Sequence, residues 1–284
     1  NQVRKQYVGT NLELCGIVNA KSGMCNQDCK FCAQSMHHNT GIQVYGLLTV
    51  DEMVAAAQKS KDDGAQNFGI VTSGNRLTQE ELNNICQASI LINKKVGINV
   101  CASLGALTQD QLRQLSYSGV LRYHHNIETS ERFYPQIVST HNFSERIETI
   151  RLAKKIGLQV CSGGIIGLGE TWQDRIDMAK TLAQLDVDAV PINILIPIKG
   201  TAIGDIAAVS KEDVLRTIAI FRIILQNKTI KLAAGRETVF AGDDSQGFLA
   251  GANGMLIGGY LTVKGRQVCE DLQLVEDVHK LWSV

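Results

Sequence analysis

Three cysteines stand close together in Cys25-Asn-Gln-Asp-Cys29-Lys-Phe-Cys32, a CxxxCxxC run that follows an apolar stretch, Leu12–Val18, and a Ser22-Gly23 turn. Closely spaced thiolates on a loop are soft, anionic ligands converging on one point, which suits a cubane iron–sulfur cluster. Three ligands for four irons leave one iron open to a substrate or cofactor. Zinc is the competing reading. A tetrahedral zinc ion asks for a fourth ligand at regular spacing, and no second CxxC occurs in the chain. Asn, Gln, Asp and Lys between the cysteines argue against a merely buried trio of thiols.

The elements that must carry this loop are short apolar, β-branched runs alternating with amphipathic stretches of helical length. Strands are expected over Leu12–Val18, Asn67–Thr72, Gly97–Ser103, Val120–Asn126, Leu158–Ile165, Ala189–Leu195, Thr229–Ala233 and Gly254–Ile257. Helices are expected over Val50–Asp63, Thr78–Lys95, Gln109–Tyr117, Asn142–Lys155, Trp172–Leu185 and Lys211–Ile224. Thr78-Gln-Glu-Glu81 and Ser210-Lys-Glu-Asp213 read as helix N-terminal boxes. Eight strand–helix alternations point to one α/β domain, a (β/α)8 barrel of the TIM type spanning 1–284, with a C-terminal tail from about 266. In such a barrel, catalytic groups gather at the C-terminal ends of the strands, where the cysteine loop falls.

Composition bounds the rest. The chain has 284 residues, 44% of them apolar, with 28 basic against 28 acidic side chains. That balance offers no electrostatic footprint for nucleic acid or a membrane surface. No apolar run reaches spanning length and the N-terminal residues show no signal-peptide pattern, so a cytoplasmic protein is expected. Eight cysteines in such a chain argue for metal or redox chemistry rather than disulfides.

CxxxCxxC with an aromatic before the third cysteine resembles the radical S-adenosylmethionine superfamily. The flanks Asn19–Cys25, Cys29–Ser35 and His38–Gly41 are similar to those of the biotin synthase family within it. So are Tyr123–Ser130, Val160–Glu170, Pro191-Ile-Asn193, Ala234-Gly-Arg-Glu237 and Gly251-Ala-Asn253, in the family's order from about residue 10 to 275. The resemblance implies a full radical S-adenosylmethionine barrel. It also implies a [4Fe–4S] cluster on Cys25, Cys29 and Cys32 whose open iron is chelated by S-adenosylmethionine. Phe31 would pack near the adenine, and Asn126 and Glu128 would meet the ribose. Glu128 stands where the family usually has Asp. Arg146 would pair with the methionyl carboxylate, a task suited to its planar fork.

The family also holds an auxiliary [2Fe–2S] cluster on three cysteines and an arginine. Cys101, Cys161 and Arg236 match three of those positions, whereas Gly69 occupies the place of the remaining cysteine, so the usual four-ligand site cannot form. Cys15 lies on the first strand, beside the strand that bears Gly69. Adjacent strands are about 4.8 Å apart, so Cys15 is expected to substitute, with a cluster that differs in nuclearity as one outcome. The competing reading leaves Cys15 as a core residue. Cys86, on a helix, reads as core; Cys269 reads as structural, with a late ligand as the alternative.

For the substrate, dethiobiotin, Asn126 and Asn193 match positions that address the ureido ring, since amides offer both a donor and an acceptor. His124 stands where the family often has Asn. Thr262 matches one of a threonine pair near the substrate carboxylate, the other being Val263 here. The expected activity is therefore insertion of sulfur from the auxiliary cluster into dethiobiotin. The alternatives are a related radical enzyme of hydrogen abstraction or rearrangement, and an iron–sulfur electron carrier or scaffold. Implied partners are an electron donor such as flavodoxin or ferredoxin, the iron–sulfur assembly machinery, and a second copy in a homodimer.

Overall fold

The computed structural model describes residues 1–261 and 265–283. Thr262 and Val263 lie outside the described residues. The strands are β1 Glu13–Lys21, β2 Asn67–Thr72, β3 Asn99–Ser103, β4 Val120–His124, β5 Gln159–Cys161, β6 Gly164–Ile166, β7 Ala189–Ile194, β8 Thr229–Leu232 and β9 Gly254–Leu256. All their mutual pairings are parallel. The order is β5-β4-β3-β2-β1-β9-β8-β7-β6, and a β5–β7 pairing closes the sheet into a barrel.

The expected eighth part of the barrel at Leu158–Ile165 is broken into β5 and β6. The cause is Gly163-Gly164. A Cβ on Gly163 would overlap the Pro191 carbonyl, and one on Gly164 would overlap the Glu128 carbonyl. Glycine lets those backbones close in, and the Gly163 carbonyl accepts from the N–H of Ile127 (3.0 Å) and of Glu128 (3.1 Å). The break thus seats the segment after β4, which carries two expected site residues.

The outer layer follows the amphipathic stretches: α1 Gln2–Val8, α2 Val50–Asp62, α3 Gln79–Leu91, α4 Gln109–Tyr117, α5 Phe143–Ile156, α6 Trp172–Gln184 and α7 Lys211–Leu225, with short α8 Arg236–Phe240 and α9 Ser245–Ala250 and a final α10 Val268–Trp282. Thr78 and Glu81 form a reciprocal capping box, and Ser210 accepts from the Asp213 N–H, as the sequence spacing requires. The expected tail is largely α10, whose Val278 and Trp282 are buried, with Arg4 stacked 3.8 Å over the Trp282 ring. Cys86 is buried in α3, and Cys269 is exposed at the start of α10. Among the described residues, no helix is long and apolar enough to cross a membrane.

Side chains alternate across a strand, so the register names the lumen row. Cys15 pairs with Asn67, Gly69 with Cys101, Cys101 with Arg122, and His124 with Cys161. Contacts across the barrel join this row, from Arg122 to Glu13 and from Lys231 to Cys15. The hydrophobic core lies outside it, between sheet and helices.

Candidate active site

Two sets of thiols belong to the same barrel at different depths. Cys25, Cys29 and Cys32 lie on the loop after β1, whereas Cys15 lies within β1. The six residues from Cys15 to Lys21 amount to about 20 Å of strand.

The outer loop is wound on itself: the Cys25 N–H donates to the Gln34 carbonyl (3.1 Å), Met36 N–H to Cys25 (2.8 Å) and Cys32 N–H to Cys29 (2.9 Å). Asp28, inside the motif, ties it to the segment after β4, accepting from the Ser139 N–H (2.9 Å), the Thr140 N–H (3.1 Å) and both hydroxyls. Burial raises the Cys29 thiol, with Arg146 opposing it, and raises Cys32 to about 11. Cys25 and Glu128 act on both, so these groups share one neighbourhood. Among the described residues, no three Cys, His, Asp or Glu side chains close on a point fit for one metal ion. A cubane spreads its ligand sulfurs wider than a single ion does. Phe31 is half-buried and packs against the core beside this loop.

Glu128 sits next to the thiols in a left-handed backbone conformation, φ 67°. Its Oε2 is buried with no hydrogen-bond partner, an unspent acceptor of the kind a bound hydroxyl satisfies. Burial raises its carboxyl, partly opposed by Arg146. Arg146 donates from Nε to the Tyr134 hydroxyl (2.8 Å), from Nη1 to the Asn126 carbonyl (3.2 Å) and from Nη2 to His141 Nε2 (2.8 Å). Two of its five N–H donors are left over. The Asn126 side-chain oxygen accepts from the Gly163 N–H (3.1 Å).

Because guanidinium only donates, His141 Nε2 must be an acceptor, which requires a neutral ring. Burial, then Arg146, lowers His141 to about 4; burial lowers His124 to about 3 and His125 well below the usual value. The unfolded chain takes up these protons near pH 6.5, while the folded chain refuses them until far lower pH. Stability is therefore fully present above about 6.5 and is lost as pH falls toward about 4. The urea midpoint is expected to decline between about pH 6.5 and 5, and His141→Gln, which keeps an acceptor for Arg146, is expected to flatten that decline. An unchanged slope in the variant would remove His141 from this account.

The inner set rests on a charged floor. Glu13 accepts from Arg122 Nη1 (2.5 Å) and from Lys231 Nζ (2.6 Å). Burial alone would raise the Glu13 carboxyl, but Lys231 and Arg122 outweigh it and hold it at about 2. Lys231 Nζ also lies 3.0 Å from Cys15 Sγ. Burial raises the Cys15 thiol, raises Cys101 to about 12 and Cys161 to about 11, with Lys231 and Arg122 opposing in each case. Cys15 acts on both other thiols, so the three share one neighbourhood. The cysteines are 1–2% exposed. Soft thiols held dry above two fixed cations fit an anionic iron–sulfur cluster, whose binding would displace their protons.

Gly69 leaves a gap in the lumen row, and Ile17 leans over it, its Cγ2 lying 3.1 Å from where a Cβ would stand. Arg236 is not brought to the thiols, which corrects its expected place. Its Nη1 donates to Asp244 (3.1 Å), Nη2 to Asp271 (2.5 Å) and to the Leu256 carbonyl (3.3 Å), and Nε to the Tyr260 hydroxyl (3.2 Å). The cations at the thiols are Lys231 and Arg122, which the sequence reading missed. The sequence marks them only as charges within strands, Lys231 inside the apolar run Ile230-Lys231-Leu232 and Arg122 two positions before His124, without saying what they face. Asn193 spans β6 and the segment after β8, donating to the Gly164 carbonyl and accepting from the Ala234 N–H, both at 3.3 Å.

The residues 21–182 match the family model for the Radical SAM superfamily, and 191–279 match that for the Biotin and Thiamin Synthesis associated domain. The chain is 49% identical over 271 residues to a biotin synthase of Thermotoga petrophila, covering 95% of this chain and 90% of that one. It is 50% identical to a biotin synthase of Thermotoga neapolitana, covering 96% and 98%. Among solved structures, a methylornithine synthase superposes with a TM-score of 0.82 at 18% identity, covering 97% of this chain and 85% of that one, a likeness of fold. With near-full-length identity of this order and both family models in sequence, the chain belongs to the biotin synthase family of the radical SAM superfamily.

Proposed function

We propose that this enzyme inserts sulfur into dethiobiotin to form biotin, and the observation that carries the reading is the deep Cys15–Cys101–Cys161 trio beneath the CxxxCxxC loop in one barrel. When bound, the two iron–sulfur clusters and S-adenosylmethionine supply a 5′-deoxyadenosyl radical and a sulfide. The chain's part is to hold, orient and exclude water. Cys25, Cys29 and Cys32 would hold the [4Fe–4S] cluster, with Phe31 against the adenine. Glu128 Oε2, buried without a partner, would take a ribose hydroxyl. Arg146 would turn its two unspent N–H donors to the methionyl carboxylate.

Cys15, Cys101 and Cys161 would hold the auxiliary cluster, [2Fe–2S] or a variant. Lys231 and Arg122 would offset its charge, and Glu13 fixes both cations. Asn126 and Asn193 would address the ureido ring, and Thr262 the substrate carboxylate. A flavodoxin or ferredoxin as electron donor, rebuilding by the assembly machinery, a homodimer and a cytoplasmic setting complete the proposal.

The test is product analysis. Anaerobically reconstituted protein, given dethiobiotin, S-adenosylmethionine and a reductant, is expected to form biotin with 5′-deoxyadenosine. Deoxyadenosine without biotin would point instead to a radical enzyme that has lost sulfur insertion.

A further inference from the structure

Three cysteines leave an auxiliary cluster short of a fourth protein ligand, and among the described residues the cationic and imidazole side chains near it or expected near it are Arg236, Arg122, Lys231 and His124. Arg236 is spent on Asp244, Asp271, Tyr260 and a carbonyl. Arg122 gives Nε to Gln159 and both terminal nitrogens to Glu13, so each of its nitrogens is already engaged. Lys231 is held by the Glu13 carboxylate at 2.6 Å and by Cys15 Sγ at 3.0 Å, the posture of an ammonium donor.

His124 remains. It is the register partner of Cys161 and lies two residues beyond Arg122 on the same face of β4. The charges that act on it are Lys231, Arg122 and Glu13, the same three that surround the thiols. Its Nε2 is buried with no hydrogen-bond partner. A buried ring nitrogen without a partner is rare in a folded protein and asks for an explanation.

We propose that His124 Nε2 is the fourth protein ligand of the auxiliary cluster, in the role that an arginine fills in the family, with Cys15 standing for the cysteine missing at Gly69. The ring binds iron through the Nε2 lone pair and keeps its proton on Nδ1. Imidazole is an accepted iron ligand in thiolate clusters, where it replaces cysteine and raises the potential. This assignment rests on the sulfur-insertion reading and takes His124 out of the substrate-binding positions, while Asn126 and Asn193 keep the ureido ring.

The test uses the reconstituted holoprotein without S-adenosylmethionine, made with ring-15N histidine, and pulsed electron paramagnetic resonance after one-electron reduction. The expected result is a strongly coupled nitrogen whose frequency changes with the label and which is lost in His124→Ala. The isotope comparison is made on the parent, so it does not depend on the variant folding. Iron and sulfide counts showing two clusters, with no label-sensitive coupling, would overturn the ligand assignment while leaving sulfur insertion standing. A protein holding only one [4Fe–4S] cluster would overturn both.

Discussion

Replacing Cys29 with serine is expected to abolish cleavage of S-adenosylmethionine while leaving iron and sulfide in the deep site. Cys29 is the most buried of the outer trio, and Arg146 and Glu128 act directly on it. Serine keeps the volume but offers a hard oxygen where iron prefers thiolate, so the outer cluster should be lost. The companion Cys161→Ser divides the function the other way. Deoxyadenosine formation should persist, because the outer loop is untouched, and biotin formation should fall to background. Radical formation and sulfur supply are thus expected to separate on exchange of one atom at either depth. Iron counts, Mössbauer spectra and product analysis on both variants provide the check. Undiminished cleavage in Cys29→Ser would sink the outer assignment.

The second large effect concerns Arg236, and it is on stability rather than chemistry. Arg236, Asp244 and Asp271 have no side-chain exposure. Asp271 also accepts from the Gly258 N–H at 3.0 Å, and Arg266 pairs with Asp244 at 2.5 Å. This network pins the segment after β9 to α8 and to α10. In Arg236→Met the Asp271 carboxylate stays buried without its cation, a loss of about 3–5 kcal/mol. Denaturant unfolding should show that loss, while folded variant protein retains its full iron and sulfide. The opposite pattern, normal unfolding with a missing auxiliary cluster, would restore Arg236 as a ligand.

Much of the architecture was legible from local pattern. β2 and α4 have the boundaries their residues suggest, Asn67–Thr72 and Gln109–Tyr117, because an apolar β-branched run and an amphipathic stretch of helical length are local signals. The split of the fifth strand was not legible. Its cause is the close approach of the Pro191 and Glu128 carbonyls to Gly163 and Gly164, which no local pattern encodes.

The candidate site divides along the same line. Spacing alone brought out Cys25, Cys29 and Cys32, because ligands on one short loop are neighbours by covalent connection. Cys15, Cys101 and Cys161 could be grouped from strand order and a family resemblance. What surrounds them needed the closed barrel: Glu13, Arg122 and Lys231 stand far apart in the chain and meet only because parallel strands put every second side chain into one lumen. Arg236 shows the converse, since a motif can match while its side chain turns to a buried carboxylate pair. The sequence by itself determined the barrel, the outer cysteine motif and the family. Tertiary structure alone decided which cations face the deep thiols and which nitrogen is left unspent, because charge pairing and burial depend on distances through space.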